Sequence, residues 1–206
     1  MSLVRLGRPD LRFCTAAAAL HIREIHHGLL PLLGERFLAQ LYLAIAQAPR
    51  SGVWAVIDAD RLTGFIAGCA DVGKTYQWLL VHRLPRLAFA AGLALFRFSV
   101  LRKIPSVLFY PFTAEARTAT TAEPAAKAEL LAIAVERDQQ GKGTGKRLLV
   151  AFEEALREWD VREYRVQTNV VEQQSNAFYR RAGFEPAGTR PHHALVLQTY
   201  LKSLGA

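Results

Sequence analysis

Apolar residues recur along this chain in two periods, and the switches between them mark out its elements. Residues 15–28 open on Thr15, run through alanines and meet Gly28, which predicts a capped, glycine-stopped helix. A leucine-proline bend follows. From 35 to 48, Phe37, Leu38, Leu41, Tyr42 and Ile45 return at helical spacing and predict a second helix. The spans 53–57 and 62–70 are short and apolar, and predict two strands joined at Asp58-Ala59-Asp60. Gly64 and Gly68 inside the second strand point to a bulge or to another element coming close.

The last third of the chain has the clearest pattern. Residues 129–135 (Glu-Leu-Leu-Ala-Ile-Ala-Val) are apolar enough for a central strand covered on both faces. A helix is predicted over 144–159, with Leu148, Phe152, Ala155, Leu156 and Trp159 on one face. Glu153, Glu154, Arg157 and Glu158 fall on the other. A strand over 164–169, a short helix stopped by Gly183 and a final strand over 194–200 complete the order. The pattern is mixed α/β with no internal repeat.

Between these parts lies a stretch of a different kind. The apolar run 87–96 has Pro85 before it and Pro105 after it. It is shorter than the about 20 apolar residues of a membrane-spanning helix, so paired helices covering a core are expected. The Thr- and Ala-rich span 113–126 is expected to be a mobile loop.

Composition narrows this picture. A length of 206 residues suits one domain, and a hydrophobic fraction of 51% excludes a disordered chain. The thiols Cys14 and Cys69 are too few for a disulfide framework or a four-thiolate zinc site, and suggest buried cysteines in a reducing cytoplasm. The first ten residues lack the apolar run of a signal peptide. The net charge of +8 is concentrated: residues 72–114 hold Lys74, Arg83, Arg86, Arg97, Arg102 and Lys103 and no acid. Three readings fit that segment. It is an inserted helical pair with solvated arginines, a lid that meets an anionic substrate, or a peripheral patch for anionic lipid. No nucleic-acid partner is expected, because no reading module accompanies the charge.

Gln140-Gly141-Lys142-Gly143-Thr144-Gly145-Lys146 stands between the central strand and the amphipathic helix. Glycines let the backbone approach a bulky anion, and the free amides of a helix start point at it. The ligand implied is a phosphate or pyrophosphate. A Walker A loop would need glycine at Gln140 and Ser or Thr at Arg147, and a dinucleotide fingerprint would need glycine at Lys146.

The strand, the Gln-x-x-Gly-x-Gly turn and the helix together resemble the acyl-CoA-binding motif of the GNAT superfamily of N-acetyltransferases. Asn176-Ala177-Phe178-Tyr179-Arg180-Arg181-Ala182-Gly183-Phe184 resembles the second signature of that superfamily, a short helix ending in Tyr-x-x-x-Gly-Phe. The resemblance covers 129–184 and extends more loosely into the N-terminal half, where a first strand is expected near 11–14. It implies a GNAT-like α/β (α+β) fold: a mixed, mostly antiparallel central sheet with a splayed strand pair, flanked by helices. It also implies one N-acetyltransferase domain over 1–206, with the basic segment as an insertion, and acetyl-CoA (coenzyme A) as cofactor. The backbone of Ile133, Ala134 and Val135 would pair with the pantetheine arm, and the turn from Gln140 to Lys146 would hold the pyrophosphate. Tyr179 would protonate the departing thiolate. Arg137 replaces a proline common in the family, and Glu172 stands where an asparagine often contacts pantetheine; Asn169 and Asn176 are nearby amides for that contact.

The expected reaction is direct attack by a primary amine of a small-molecule acceptor, such as an amino sugar. The alternatives are a protein N-acetyltransferase and a non-catalytic CoA-binding or membrane-associated module. A lysine-like amine with a pKa of about 10.4 needs a base before it can attack. Glu129 is the first candidate, with Glu24, His26 and His27 next as acceptor-site residues. No metal is expected, since His21, His26 and His27 lack the spacing of a zinc helix. No nucleophile elbow is present, so no covalent intermediate is indicated. The oligomeric state, monomer or homodimer, stays open.

Overall fold

The computed structural model describes residues 1–7, 10–25, 30–92, 126–192 and 195–205. In chain order the elements are β1 (Ser2–Arg5), α1 (Leu11–Glu24), a 3-10 turn (Leu30–Leu33), α2 (Glu35–Gln47), β2 (Ser51–Asp58), β3 (Arg61–Cys69) and α3 (Val72–Ala91). Then come β4 (Ala128–Val135), a 3-10 turn (Arg137–Gln139), α4 (Thr144–Glu158), β5 (Glu163–Asn169), α5 (Gln173–Arg181), β6 (Glu185–His192) and β7 (Leu195–Ser203). The seven strands form one sheet in the order β1-β2-β3-β4-β5-β7-β6. Every pairing is antiparallel except β4 with β5. This is the mixed, mostly antiparallel sheet with flanking helices that the family resemblance implies.

The sheet is covered on both faces, which explains why its inner strands read as nearly continuous apolar runs. Val53, Ala55, Phe65 and Ala67 turn toward α1 and α2 and join Cys14, Leu38 and Tyr42. Trp54, Val56 and Ile66 alternate to the other face and meet Leu148, Phe152 and Leu156 of α4. The hairpin between β2 and β3 closes through Ala59 and Asp60, both at positive φ, the conformation a tight primed turn requires. Gly64 and Gly68 mark where α4 presses on β3. A Cβ at Gly68 would lie 2.4 Å from the Phe152 ring. The register also shifts between Ala67 and Gly68, so this strand carries a bulge as well as a close approach.

Four sequence expectations are corrected. Residues 11–14 are helix, and the first strand is Ser2–Arg5. Cys14, Ala17, Ala18 and His21 fall on one buried helical face, so α1 begins before Thr15, whose hydroxyl donates to the Leu11 carbonyl inside the helix. Pro85 lies within α3 and so does not mark a helix start. Its missing N–H falls in a stretch where Val81 and Leu84 are exposed. Glu153 is buried, not solvated: it accepts from the Tyr164 hydroxyl at 2.6 Å and from Lys202 at 2.6 Å. The expected final strand is β7, and an edge strand that the pattern did not predict, β6, precedes it. Pro186 and Pro191 hid β6 from the pattern, and proline is tolerated at an edge.

α3 is the part of the basic segment that the structure describes. It packs on α2 through Leu79 and through a contact from Arg83 to Gln47. Residues 93–114 of that segment, and 113–125 of the expected loop, lie outside the described residues. Among the described residues, no helix is long and apolar enough to cross a membrane.

Candidate functional site

The site begins with a strand pair that comes apart. β4 and β5 pair only from Ala128 to Leu130 against Tyr164 to Val166. The closed end is tied by Arg165 Nε, which reaches Glu129 Oε2 at 2.9 Å. Beyond it β4 stays paired with β3 as far as Val135, while β5 follows β7. The β5 side of residues 131–135 therefore has no strand partner and borders a gap.

Two lobes of about 300 and 360 Å³ meet in that gap. They share Glu24, Ile25, Ile133, Glu172, Ser175 and Tyr179. The outer lobe leads to the glycine turn. Gly141 and Gly143 hold φ of +75° and +83°, and a Cβ on either would meet nothing within 4 Å. The turn is thus a bare backbone surface open to the groove. Gly145 differs, since its Cβ would come within 3.2 Å of Phe178. The first backbone bond of α4 runs from the Arg147 amide to the Gly143 carbonyl at 3.0 Å. The amides of 144–146 precede it and are free of helical acceptors, which leaves three backbone donors at the helix start. Lys146 and Arg181 line the same lobe and add positive charge. Gln140 braces the turn: its amide donates to the Val135 carbonyl at 3.0 Å and its oxygen accepts from Gln174 at 2.7 Å.

Tyr179 stands where the lobes join. Its ring packs against Phe178, Phe184 and Tyr200, and burial raises its phenol pKa above the ordinary value. Across the gap, the end of α1 is fixed by ion pairs. The buried Glu136 takes Arg23 at 2.9 Å on one oxygen and Arg61 on the other. Arg23 and Arg137 each lie 3.5 Å from Glu24, whose side chain is 13% exposed and borders both lobes. Deeper on α1, His21 lines the inner lobe, with Nδ1 2.5 Å from the Tyr42 hydroxyl. Burial lowers the His21 pKa to about 4.

The structure thus gathers Ile133, Ala134, Val135, Gln140, Gly141, Gly143, Gly145, Lys146, Tyr179 and Glu24 around one groove. Asn169 borders the inner lobe. Others stand apart. Glu129 is held by Arg165 at the closed end and does not line the groove. Asn176 spends its amide on the Asn169, Val170 and Glu172 carbonyls and accepts from the Tyr200 hydroxyl, so it holds α5 in place. Lys142 is exposed at the tip of the turn, and Thr144 is buried against Gly64. His26 and His27 lie outside the described residues. Sequence reasoning missed Ser175, Phe178 and Arg181, although helical spacing from Tyr179 would have found the first. It gave no signal for Ile25 or Gln167, which reach the groove only through tertiary packing. No cluster of three or more metal-ligating side chains forms among the described residues. A roomier cavity of about 600 Å³ lies away from the groove beside α3, where Lys74, Lys127, Trp78 and His82 line it.

Residues 110–186 match the family model described as the acetyltransferase (GNAT) domain. No curated protein sequence matches the chain. Solved structures of similar fold include the ribosomal-protein-S18-alanine N-acetyltransferase of Escherichia coli, with a TM-score of 0.58 at 15% identity over 100% of this chain and 94% of that one. An acetyltransferase of the GNAT family from Streptococcus pneumoniae gives 0.58 at 12% identity, covering 99% of both chains. An aminoglycoside 6'-N-acetyltransferase complexed with coenzyme A gives 0.58 at 13% identity over 100% of this chain and 98% of that one. At these identities the likeness is one of fold.

Proposed function

We propose, on the premise that this chain carries a GNAT acetyltransferase domain on the GNAT fold, that it transfers an acetyl group from acetyl-CoA to a primary amine of a small-molecule acceptor. The observation that supports this most is the single groove through the β4/β5 gap. It has a glycine-built anion site at one end and a carboxylate with a phenol at its middle.

The residues present fit coenzyme A. The open backbone at Gly141 and Gly143, the free amides of 144–146 and the cations Lys146 and Arg181 would hold its pyrophosphate. The unpaired side of β4 at Ile133, Ala134 and Val135 would hold the pantetheine arm. When bound, the cofactor supplies an acyl thioester open to attack. The chain's own groups then manage the protons. Glu24 attracts the acceptor's ammonium form and takes its proton, directly or through water. Tyr179 would give a proton to the departing sulfur and be reloaded, directly or through water, by the second proton that the nitrogen loses as the amide forms. Backbone N–H groups on the free side of β4 stabilise negative charge on the acyl oxygen. Glu24 replaces Glu129 as the base in this reading, because Glu129 is paired with Arg165 away from the groove. The inner lobe of about 300 Å³ suits a small amine-bearing group.

Coenzyme A release across a panel of amines, including a free peptide, tests the reading and separates small-molecule from protein N-terminal acceptors. If acetyl-CoA raises the melting temperature but no amine releases coenzyme A, a binding module replaces the enzyme. Lys146→Ala is expected to raise the KM for acetyl-CoA about tenfold with kcat nearly constant, since it removes one charged contact to phosphate. Glu24→Gln is expected to lower kcat/KM for the amine about a hundredfold and to leave acetyl-CoA affinity in place. Steady-state kinetics with each substrate varied in turn distinguish the two.

A further inference from the structure

The buried His21–Tyr42 pair has no part in the reading above. Tyr42 on α2 is 2% exposed and His21 on α1 is 4% exposed. Burial keeps the phenol protonated and the imidazole neutral. Two neutral partners 2.5 Å apart share one proton between them, so one must donate and the other accept. If Nδ1–H donated, the phenol O–H would need a further acceptor. Among the described residues, His21 is the only hydrogen-bond partner that Tyr42 has. A buried O–H left unpaired is costly, so the phenol donates, Nδ1 accepts, and the ring proton sits on Nε2.

Nε2 makes no hydrogen bond to the described residues, and the His21 ring borders the inner lobe. Gln167 borders the same lobe. Gln167 accepts on Oε1 from Arg190 at 2.9 Å, which fixes its amide with the NH2 pointing elsewhere. That NH2 is enclosed and has no partner among the described residues.

We propose that Tyr42 holds His21 as an Nε2–H donor facing the inner lobe, where it binds an oxygen carried by the acceptor and does not take the amine's proton. The acceptor class is then a small amine that also carries a hydroxyl or carbonyl oxygen. The acceptor role rests on the transferase reading; the donor assignment stands without it.

The test has two parts. Nitrogen-15 NMR of the full chain with labelled histidine, assigned with His21→Gln, reads the tautomer directly. Protonated Nε2 with bare Nδ1 is expected, and protonated Nδ1 overturns the proposal. In Tyr42→Phe the ring is expected to gain Nδ1–H population; an unchanged tautomer removes Tyr42 as the group that sets it. The second part compares glucosamine, glycinamide and propylamine as acceptors. In His21→Leu the kcat/KM ratio of an oxygen-bearing amine to propylamine is expected to fall about tenfold or more. A fall for glucosamine alone identifies a hydroxyl, and for glycinamide alone a carbonyl; no fall for either overturns the acceptor role. His21→Gln, which keeps a donor, is expected to retain part of the ratio. If none of the three amines releases coenzyme A, the acceptor role is overturned while the tautomer still decides the donor assignment, and the transferase reading itself fails only if no amine of the wider panel does.

Discussion

Replacing Tyr179 by Phe is expected to lower kcat about a thousandfold, within the range for loss of a positioned general acid, with little change in the KM for acetyl-CoA. The ring borders both lobes and packs on Phe178, Phe184 and Tyr200, and a phenylalanine keeps all of those contacts. Only the hydroxyl is lost, so cofactor affinity should survive. Burial raises the phenol pKa above its ordinary value of about 10, which keeps the acid loaded throughout the working range. The sign follows: deprotonation of Tyr179 gives the wild-type rate no falling limb at neutral or mildly alkaline pH. A falling limb that disappears in the Phe variant would contradict the raised pKa. A kcat within about threefold of wild type would reduce Tyr179 to a packing residue.

The second large effect is on stability. Gly68→Ala is expected to cost about 2–3 kcal/mol, at the upper end for overpacking a core, and to lower Tm by about 5–10 °C in a chain of this size. The added Cβ would lie 2.4 Å from Phe152 Cζ and 3.0 Å from the Glu129 carbonyl. Phe152 has little room to yield, because it packs edge-on to Tyr164 at 5.5 Å and against Trp54 at 5.7 Å. Phe152→Leu should open space for the new methyl group. The double variant is therefore expected to lose less stability than the two single losses together. Strict additivity in thermal melts would mean that β3 shifts as a whole and that the helix contact is not the constraint.

Much of the C-terminal half was legible because its signals are local. The glycine turn is set by backbone sterics, and the positive φ at Gly141, Gly143 and Gly183 appears where glycine was read. The amphipathic face of α4 gave its core side chains correctly, with Leu148, Phe152 and Leu156 buried. Glu153 escaped the same logic. Its partners Tyr164 and Lys202 come from β5 and β7, and no helical period reveals a strand neighbour. Residues 11–14 failed for a related reason, since four residues fit strand and helix alike until Ala17 and His21 extend the stripe.

The sequence by itself placed most of the elements and the strand–glycine turn–helix unit, with its positive φ at Gly141 and Gly143, while the splayed-sheet fold and the role of Tyr179 were expectations from the family resemblance. The elements and the turn follow from interactions within a few residues along the chain, where propensity, glycine φ and apolar period act directly. The tertiary structure decided which carboxylate belongs to the groove. On sequence Glu129 ranks ahead of Glu24 as the base. Pairing of β4 with β5 places Glu129 against Arg165 at the closed end, while the clamp of Glu136 on Arg23 and Arg61 swings the end of α1, and Glu24 with it, into the gap. These are contacts between residues far apart in sequence, fixed by sheet register and ion-pair geometry, which no local pattern encodes.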